Sequence, residues 1–342
     1  MSDPGVSGRR PPKAFFCAVA DVFGLGEPIR WRALPDTSTN LTWRLQTEEG
    51  RHVVKQFRYP TSDELWRESL LEAARFECDV HDGGVVGMAL PCRSVHDNVI
   101  EQLTGTYGRP ALVRVHSWVD GTGVPPEPSP ATIADAGRQL AAVQSFASLR
   151  PSQRSGSLLW WDWDPERWLA ALANQQTIAP NEVVEGLSVL AAALELVHEA
   201  ERSAATWTMC HYDHKPDNVR CTPRGLVLLD WDEAAMCPPR CEVVESALLW
   251  ATTSAGVDRG RLDAFLSGFG SAGSGLDGPA ETDMGKWLAS KVGWFDYSAR
   301  RALRVLPCTD SEAEISLDQA RTALMDLTRG LDHIGLWIGW MA

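Results

Sequence analysis

The order of its periodic segments constrains this chain most, because short alternating segments come first and helical segments follow. Three segments near the N-terminus alternate apolar and polar residues and are joined by turn-forming residues, which predicts an antiparallel meander. A helix capped near Ser62 follows, and then two more strand candidates. The predicted strands lie at residues 29–34, 41–46, 52–58, 98–103 and 111–119.

Beyond a segment rich in glycine and proline at residues 120–130, helical patterns dominate the chain. Short apolar runs at 206–210 and 225–230 interrupt them and predict an embedded pair of strands. The predicted helices cover residues 131–149, 165–174, 181–202, 243–253, 258–269, 281–303 and 316–341. We therefore expect an α+β protein with a disordered tail (1–13), a β-rich N-terminal lobe (14–119), a hinge (120–130) and a mostly helical C-terminal lobe (131–342).

The charge balance of the 342 residues narrows the choice of partners. The chain carries 32 Lys and Arg against 45 Asp and Glu, for a formal net charge of -13, and its field repels polyanions. We therefore expect neither nucleic acid nor an anionic membrane as a partner. The basic pair near the N-terminus is followed by prolines rather than by the apolar core of a signal peptide, and no apolar run approaches the ~20 residues of a membrane span, so we expect a cytoplasmic protein.

The sharpest motif is His211-Tyr-Asp213-His-Lys215-Pro-Asp-Asn218. A turn follows it, and then an apolar run that ends in Asp230-Trp-Asp232. These segments predict a hairpin whose two arms carry a candidate base, an amide oxygen and carboxylates, so that all of them can converge on one point.

The two motifs resemble those of the aminoglycoside phosphotransferase family, which is related to choline kinase and more distantly to protein kinases. His211, Asp213 and Asn218 match its H-x-D-x-x-x-x-N loop, and Asp230 with Asp232 matches its D-W-[DE] signature. The resemblance covers both predicted lobes in order. It implies a two-lobed protein-kinase-like fold and a phosphotransferase that uses ATP and Mg²⁺.

The resemblance also implies roles for these residues. Phosphoryl transfer needs an oriented acceptor hydroxyl and neutralised phosphate charge rather than covalent help from the protein. Asp213 is expected to accept the hydroxyl proton, with His211 in the same catalytic loop. The expected metal ligands are Asn218, Asp230 and Asp232.

In the N-terminal lobe, Lys55 lies in an apolar strand, where an ammonium needs an anionic partner. It resembles the ATP-binding lysine of the family. We expect Glu68 on the following helix as its ion-pair partner, with Glu72, one turn later, as the alternative. The loop before the second strand contains no glycine, so Ser38, Thr39 and Asn40 are expected to make only weak contacts to the nucleotide phosphates.

Lys215 leaves two classes of phosphoryl acceptor open. Asp213-His-Lys215-Pro-Asp-Asn218 resembles the D-x-K-P-x-N of serine/threonine protein kinases, and a lysine two residues after the base can reach the transferring phosphoryl group. The leading hypothesis is a small, amine-bearing acceptor such as an antibiotic or a metabolite. A kinase acting on Ser or Thr of a peptide, as in class V lanthipeptide or thioamitide biosynthesis and with a possible partner protein, is the alternative.

A third hypothesis is an inactive nucleotide-binding scaffold, which the glycine-free loop favours and the complete set of motif residues opposes. A tryptophan cluster bears on the acceptor as well. Its aromatic faces can hold a cationic acceptor or can form core packing, and the sequence leaves both open. The cluster consists of Trp160, Trp161, Trp163 and Trp168.

Overall fold

The computed structural model describes residues 12–34, 40–58, 61–149, 156–159, 163–175, 180–273, 275–306 and 308–342. These residues form two compact units. The first contains the described residues up to Asp135 together with His211–Ala235, and the second contains 136–210 with 236–342. The motif-bearing segment, which the sequence assigned to the C-terminal lobe, thus groups with the N-terminal elements. The predicted tail lies almost wholly outside the described residues.

A five-stranded antiparallel sheet is the centre of the first unit, as the sequence predicted. Its strand order is β1-β2-β3-β5-β4. The second helix is capped by Asp63, one residue after the predicted cap at Ser62, and the Asp63 side chain accepts a hydrogen bond from the Trp66 amide. The elements are α1 (Lys13–Phe23), β1 (Pro28–Ala33), β2 (Asn40–Thr47), β3 (Arg51–Phe57), α2 (Glu64–Asp82), β4 (Glu101–Thr104) and β5 (Pro110–Ser117).

The sequence prediction missed α1, a short helix that follows a polar, proline-rich stretch. Its buried face carries Phe15 and Phe16. The Phe16 ring stacks on Trp31 with centroids 4.8 Å apart and meets Trp43 edge-on at 5.7 Å. Aromatic contacts of this kind stabilise beyond the area they bury, so α1 closes one face of the sheet.

The two faces of the sheet differ in chemistry because side chains alternate along a strand. Val54 and Val115 lie opposite each other on β3 and β5 and belong to the apolar cluster beneath α1. The next pair in register is Lys55 with Arg114. Both cations therefore lie on the other face.

The remaining elements include a small second sheet in the first unit. Its strand order is β6-β8-β9, and β8 and β9 form the hairpin expected between the two motifs. The elements are β6 (Thr122–Gly123), α3 (Pro130–Ser148), α4 (Pro165–Asn174), α5 (Pro180–Ser203), β7 (Thr208–Cys210), β8 (Val219–Thr222), β9 (Gly225–Leu228), β10 (Ala235–Cys237), α6 (Pro239–Ala251), β11 (Thr252–Thr253), β12 (Gly256–Val257), α7 (Arg259–Ser271), α8 (Gly285–Ala302) and α9 (Asp310–Met341).

Helices dominate the second unit, as predicted. The longest helix, α9, begins six residues before its predicted start because Thr309 and Glu312 form a reciprocal cap there. It packs along α8, and Gly330 permits the close approach, since a Cβ there would lie 2.2 Å from the Trp287 ring. Within the described residues, no helix is long and apolar enough to cross a bilayer.

The tryptophan cluster contributes to this helical unit. Trp168 is 8% exposed, and Trp163 packs against Gly293 of α8. Trp160 and Trp161 lie outside the described residues. For Trp168, the core interpretation therefore fits better than an open acceptor surface.

Candidate active site

Backbone and side-chain hydrogen bonds tie the two arms of the hairpin together at its base. The Leu229 amide donates to the Asn218 carbonyl over 2.8 Å. The His211 ring lies with Nε2 3.0 Å from the Leu229 carbonyl, so Nε2–H donates to it. Residues 18 positions apart are thereby fixed side by side, as the sequence predicted for the two motifs.

His211 is fully buried and its second ring nitrogen is also engaged. Nδ1 accepts from the Asp213 amide at 3.3 Å, and the ring packs edge-on against Trp231 with centroids 4.6 Å apart. A neutral ring that donates through Nε2 and accepts through Nδ1 satisfies both contacts. The geometry favours a positioning role for His211 rather than contact with a reacting atom.

Asp213 is the candidate base, and two donors address one of its oxygens. Oδ2 accepts from Nδ2 of Asn218 at 2.7 Å and lies 2.8 Å from Nζ of Lys215. Burial lowers the pKa of Lys215, but the Asp213 carboxylate outweighs it, and the pKa lies above its usual value. Lys215 is therefore charged at neutral pH, and Oδ1 of Asp213 receives neither of these two bonds.

Asn218 and Asp230 supply the oxygen atoms suited to a metal ion. Both side-chain bonds of Asn218 to Asp213 use its Nδ2 atom, which leaves its Oδ1 as the available ligand. The Asp230 side chain is 36% exposed, and its backbone has φ 62°, a left-handed conformation that is uncommon outside glycine. An amide oxygen and a carboxylate are ligands that hard cations such as Mg²⁺ prefer, so the donor set fits the predicted metal.

Lys55 forms ion pairs with the second motif rather than with the helix that follows it. Among the described residues, its partners are Asp230, at 2.6 Å, and Asp232. Burial lowers the pKa of Lys55, but the two carboxylates outweigh it and hold the pKa above its usual value. The pairing predicted with Glu68 is wrong, because Glu68 is on the exposed side of α2; Glu72 is half-buried.

Asp232 was predicted as a metal ligand, but the structure surrounds it with cations. Oδ2 accepts from Lys55 and Oδ1 accepts from Arg114 at 2.5 Å. Burial raises the pKa of Asp232, but Lys55 and Arg114 outweigh it and hold the pKa well below its usual range. Both oxygens of Asp232 are thus engaged by side chains of the protein.

Sequence reasoning missed Arg114 and Glu77, which form a buried ion pair. Two signals could have found them. Arg114 interrupts an apolar strand between Val113 and Val115, as Lys55 does in its own strand. Glu77 falls on the apolar stripe of α2, seven residues after Leu70, where a charge needs a partner.

Of the three residues predicted to contact the nucleotide phosphates, the structure describes one. Ser38 and Thr39 lie outside the described residues. Asn40 is the first residue of β2 and pairs in register with Phe57 of β3. The role of this loop toward a nucleotide stays a prediction.

Residues 30–282 match the model of the phosphotransferase enzyme family, abbreviated APH. The chain belongs to this family. It is thus a phosphotransferase, as the motifs predicted. No significantly similar sequence is found among curated proteins.

Several solved structures of phosphotransferases share the fold. Amicoumacin kinase in complex with AMP-PNP, Ca²⁺ and Ami is 12% identical, with a TM-score of 0.65 over 93% of this chain and 94% of that one. A microcompartment-associated aminopropanol kinase is 15% identical, with a TM-score of 0.63 over 95% and 99%. Spectinomycin phosphotransferase in complex with ADP and spectinomycin is 11% identical, with a TM-score of 0.63 over 93% and 98%. The predicted kinase-like fold, with its antiparallel sheet and mostly helical C-terminal part, is confirmed.

Proposed function

We propose that this protein transfers the γ-phosphoryl group of ATP to a hydroxyl of a small, amine-bearing molecule, with Mg²⁺ as the metal ion. The observation that carries the proposal is the convergence of a base and two oxygen ligands on one hairpin. Asn218 donates to Asp213 at 2.7 Å, and the Asn218 carbonyl accepts from the Leu229 amide, directly before Asp230, at 2.8 Å. This arrangement suits a reaction that depends on positioning and charge neutralisation.

The nucleotide part of the proposal rests on Lys55 and on the solved structures that share the fold. The buried Lys55 ammonium is paired with two carboxylates, Asp230 and Asp232. When Asp230 binds a metal ion instead, the ammonium can contact a phosphate group. Two relatives were solved with ADP or with AMP-PNP and Ca²⁺, which supports a nucleotide and a divalent ion. Mg²⁺ typically takes one or two protein ligands and completes its shell with phosphates and water.

The metal part rests on Asn218 and Asp230. Within the part of the chain that the structure describes, no group of three or more His, Cys, Asp or Glu is arranged to hold a metal. Two protein oxygens fit an ion that arrives with the nucleotide phosphates rather than a resident metal. When bound, the ion neutralises charge on the phosphates.

Asp213 and Lys215 have complementary roles in this proposal. Asp213 accepts the proton of the acceptor hydroxyl through the oxygen that Asn218 and Lys215 leave clear. Lys215 remains cationic and stabilises negative charge that develops during transfer. Since Lys215 is accounted for by its contact with Asp213 at 2.8 Å, a peptide acceptor is not needed to explain it, and the relatives give that alternative no support.

The acceptor class rests on charge and on the relatives. A chain with a net charge of -13 attracts cationic substrates. One relative is named for aminopropanol, an amino alcohol, and two are named for the antibiotics amicoumacin and spectinomycin. Modification of an antibiotic or activation of a metabolite, in the cytoplasm, is the setting we propose.

An acceptor panel tests the proposal. The protein is incubated with Mg²⁺ and γ-labelled ATP against amino alcohols, aminoglycosides, amino sugars and peptides rich in Ser and Thr, with the Asp213→Asn variant as the blank. Label on an amine-bearing alcohol supports the proposal. Label on a peptide alone contradicts the acceptor class, and ATP binding without any transfer favours the inactive scaffold.

A further inference from the structure

Arg114 is a buried cation beside Lys55 that the proposed chemistry has not yet used. The two residues lie directly opposite one another on β5 and β3. Like charges in that register repel each other. The Arg114 side chain is 1% exposed, so water does not screen the repulsion. An arrangement of this kind is stable only if anions lie between or around the two cations.

Two carboxylates supply this charge, one from each side. Asp232 bridges the cations, with Oδ1 2.5 Å from Nη1 of Arg114 and Oδ2 on Lys55. Glu77 of α2 accepts from Nη2 of Arg114, and its Oε1 lies 3.0 Å from Nε2 of His116. A continuous series of ion pairs, which we call the charge chain, thus runs from Lys55 through Asp232 and Arg114 to Glu77.

The charge chain separates the two carboxylates of the D-W-D motif. The Asp232 side chain is 7% exposed and has one donor on each oxygen, which fixes its orientation. The Asp230 side chain is 36% exposed and contacts Lys55 through Oδ1. Asp230 can leave Lys55 and bind a metal ion, whereas turning Asp232 away would leave Arg114 and Lys55 buried without their shared anion, which is strongly unfavourable.

We propose that Asp232, Arg114 and Glu77 are positioning residues that hold the Lys55 ammonium in place for the nucleotide phosphates, and that Asp232 does so instead of binding metal. This inference rests on the proposed phosphotransferase function. Helix α2 then acts on Lys55 through Glu77, Arg114 and Asp232 in series, rather than through a direct pair such as the one predicted with Glu68. Arg114 touches no substrate in this scheme and acts only through Lys55.

A double-mutant cycle on nucleotide binding tests the charge chain. The combined substitution Arg114→Met/Glu77→Gln removes a cation and its anion together, which is less destabilising than leaving either one buried alone. Calorimetry measures the dissociation constant of AMP-PNP with Mg²⁺ for this variant, in the wild-type and in the Lys55→Met background. We expect binding about tenfold weaker in the first background, the loss of roughly one charged hydrogen bond. In the second background we expect a change within about twofold, because residues that act through one another are not additive.

The matched control is Arg51→Met, which removes another ion-paired arginine from the same sheet. Arg51 lies on β3 and pairs with Asp120 at an exposed position, outside the charge chain. Its removal should leave the dissociation constant unchanged. A wild-type protein that binds no nucleotide contradicts the proposed function as a whole. If the wild-type protein binds nucleotide, but the double substitution weakens binding equally in both backgrounds or in neither, only the positioning role is contradicted.

A second variant keeps the test decisive if the double substitution does not fold. Arg114→Lys keeps the buried charge, but a single ammonium does not reproduce the fork that Arg114 uses toward Asp232 and Glu77. We expect binding weakened several-fold in the wild-type background and unchanged in the Lys55→Met background. Equal affinity of Arg114→Lys and the wild-type protein would overturn the inference.

Discussion

The ammonium of Lys215 lies 2.8 Å from Oδ2 of Asp213, so the cation expected to assist the phosphoryl group is paired with the candidate base. Asn218 donates to the same oxygen at 2.7 Å. These contacts fix the carboxylate and leave Oδ1 of Asp213 facing neither donor. The base, the cation and one metal ligand therefore act as a coupled set, and their substitutions should have distinguishable kinetic effects.

Substitution of Lys215 tests whether it acts during transfer. Lys215→Ala should lower kcat about 10- to 100-fold and hardly change nucleotide affinity, because an interaction made mainly in the transition state affects kcat and kcat/KM alike. Steady-state kinetics at saturating acceptor measures the effect. Lys291→Ala, which removes another lysine paired to an aspartate at 2.7 Å, is the control. A rise in the acceptor KM with unchanged kcat would make Lys215 a binding residue only.

Substitution of Asp230 tests the metal site. Asp230→Asn should reduce the gain in nucleotide affinity that Mg²⁺ provides by roughly 10- to 100-fold, since it removes the charged oxygen ligand. Titration of ADP with and without Mg²⁺ measures that gain. Asp120→Asn is the control, because Asp120 is also paired with a cation of β3. The assignment fails if Mg²⁺ strengthens ADP binding equally in Asp230→Asn and in the wild-type protein.

The backbone of Tyr212, just before the base, predicts an unusual order of stabilities. Tyr212 has φ 71°, where a Cβ atom is strained and glycine is not. Tyr212→Gly should therefore be more stable than Tyr212→Ala by about 1 kcal/mol, the reverse of the usual order of glycine and alanine. Chemical unfolding of both variants measures the difference. A more stable alanine variant would show that the left-handed conformation is not maintained in solution.

His214 predicts a pH dependence of stability. Burial, and then the neighbouring His211, lower the pKa of His214 to about 3, so the folded protein keeps this ring neutral. The unfolded chain binds a proton below pH ~6.5. Stability from this group is thus complete above that pH and is lost at up to ~1.4 kcal/mol per unit as the pH falls toward 3. Unfolding free energies at several pH values should show a smaller acid loss in His214→Gln than in the wild-type protein, and equal losses would contradict the account.

The sequence predicted the fold, and it predicted that the candidate site residues lie together, for a physical reason. Asp213, Asn218 and Asp230 are close in sequence or at the ends of a short hairpin, so spacing alone places them together. The five strands were readable because their alternation and turns are local signals. The missed helix α1 is short, follows prolines and is stabilised by aromatic contacts with β1 and β2, which sequence periodicity does not reveal.

The charge chain was not predictable in the same way, because its members come from two strands, a helix and a turn that are far apart in the sequence. Lys55, Glu77, Arg114 and Asp232 span 177 positions, whereas Glu68 was chosen from its distance along the chain from Lys55 alone. Each buried charge signalled that it needed a partner, but the register of β3 with β5 decides which partner it has. That register depends on the whole sheet rather than on any one segment.

The most direct test of the central claim follows the phosphoryl group itself. The wild-type protein and Asp213→Asn are incubated with Mg²⁺, an amine-bearing alcohol that serves as acceptor, and ATP labelled at either the γ- or the α-phosphate. We expect label in the acceptor from γ-labelled ATP only. We expect Asp213→Asn to bind ADP within a few-fold of the wild-type protein but to transfer label ~10² to 10⁴ times more slowly. Transfer from α-labelled ATP, or undiminished transfer by Asp213→Asn, would contradict the account.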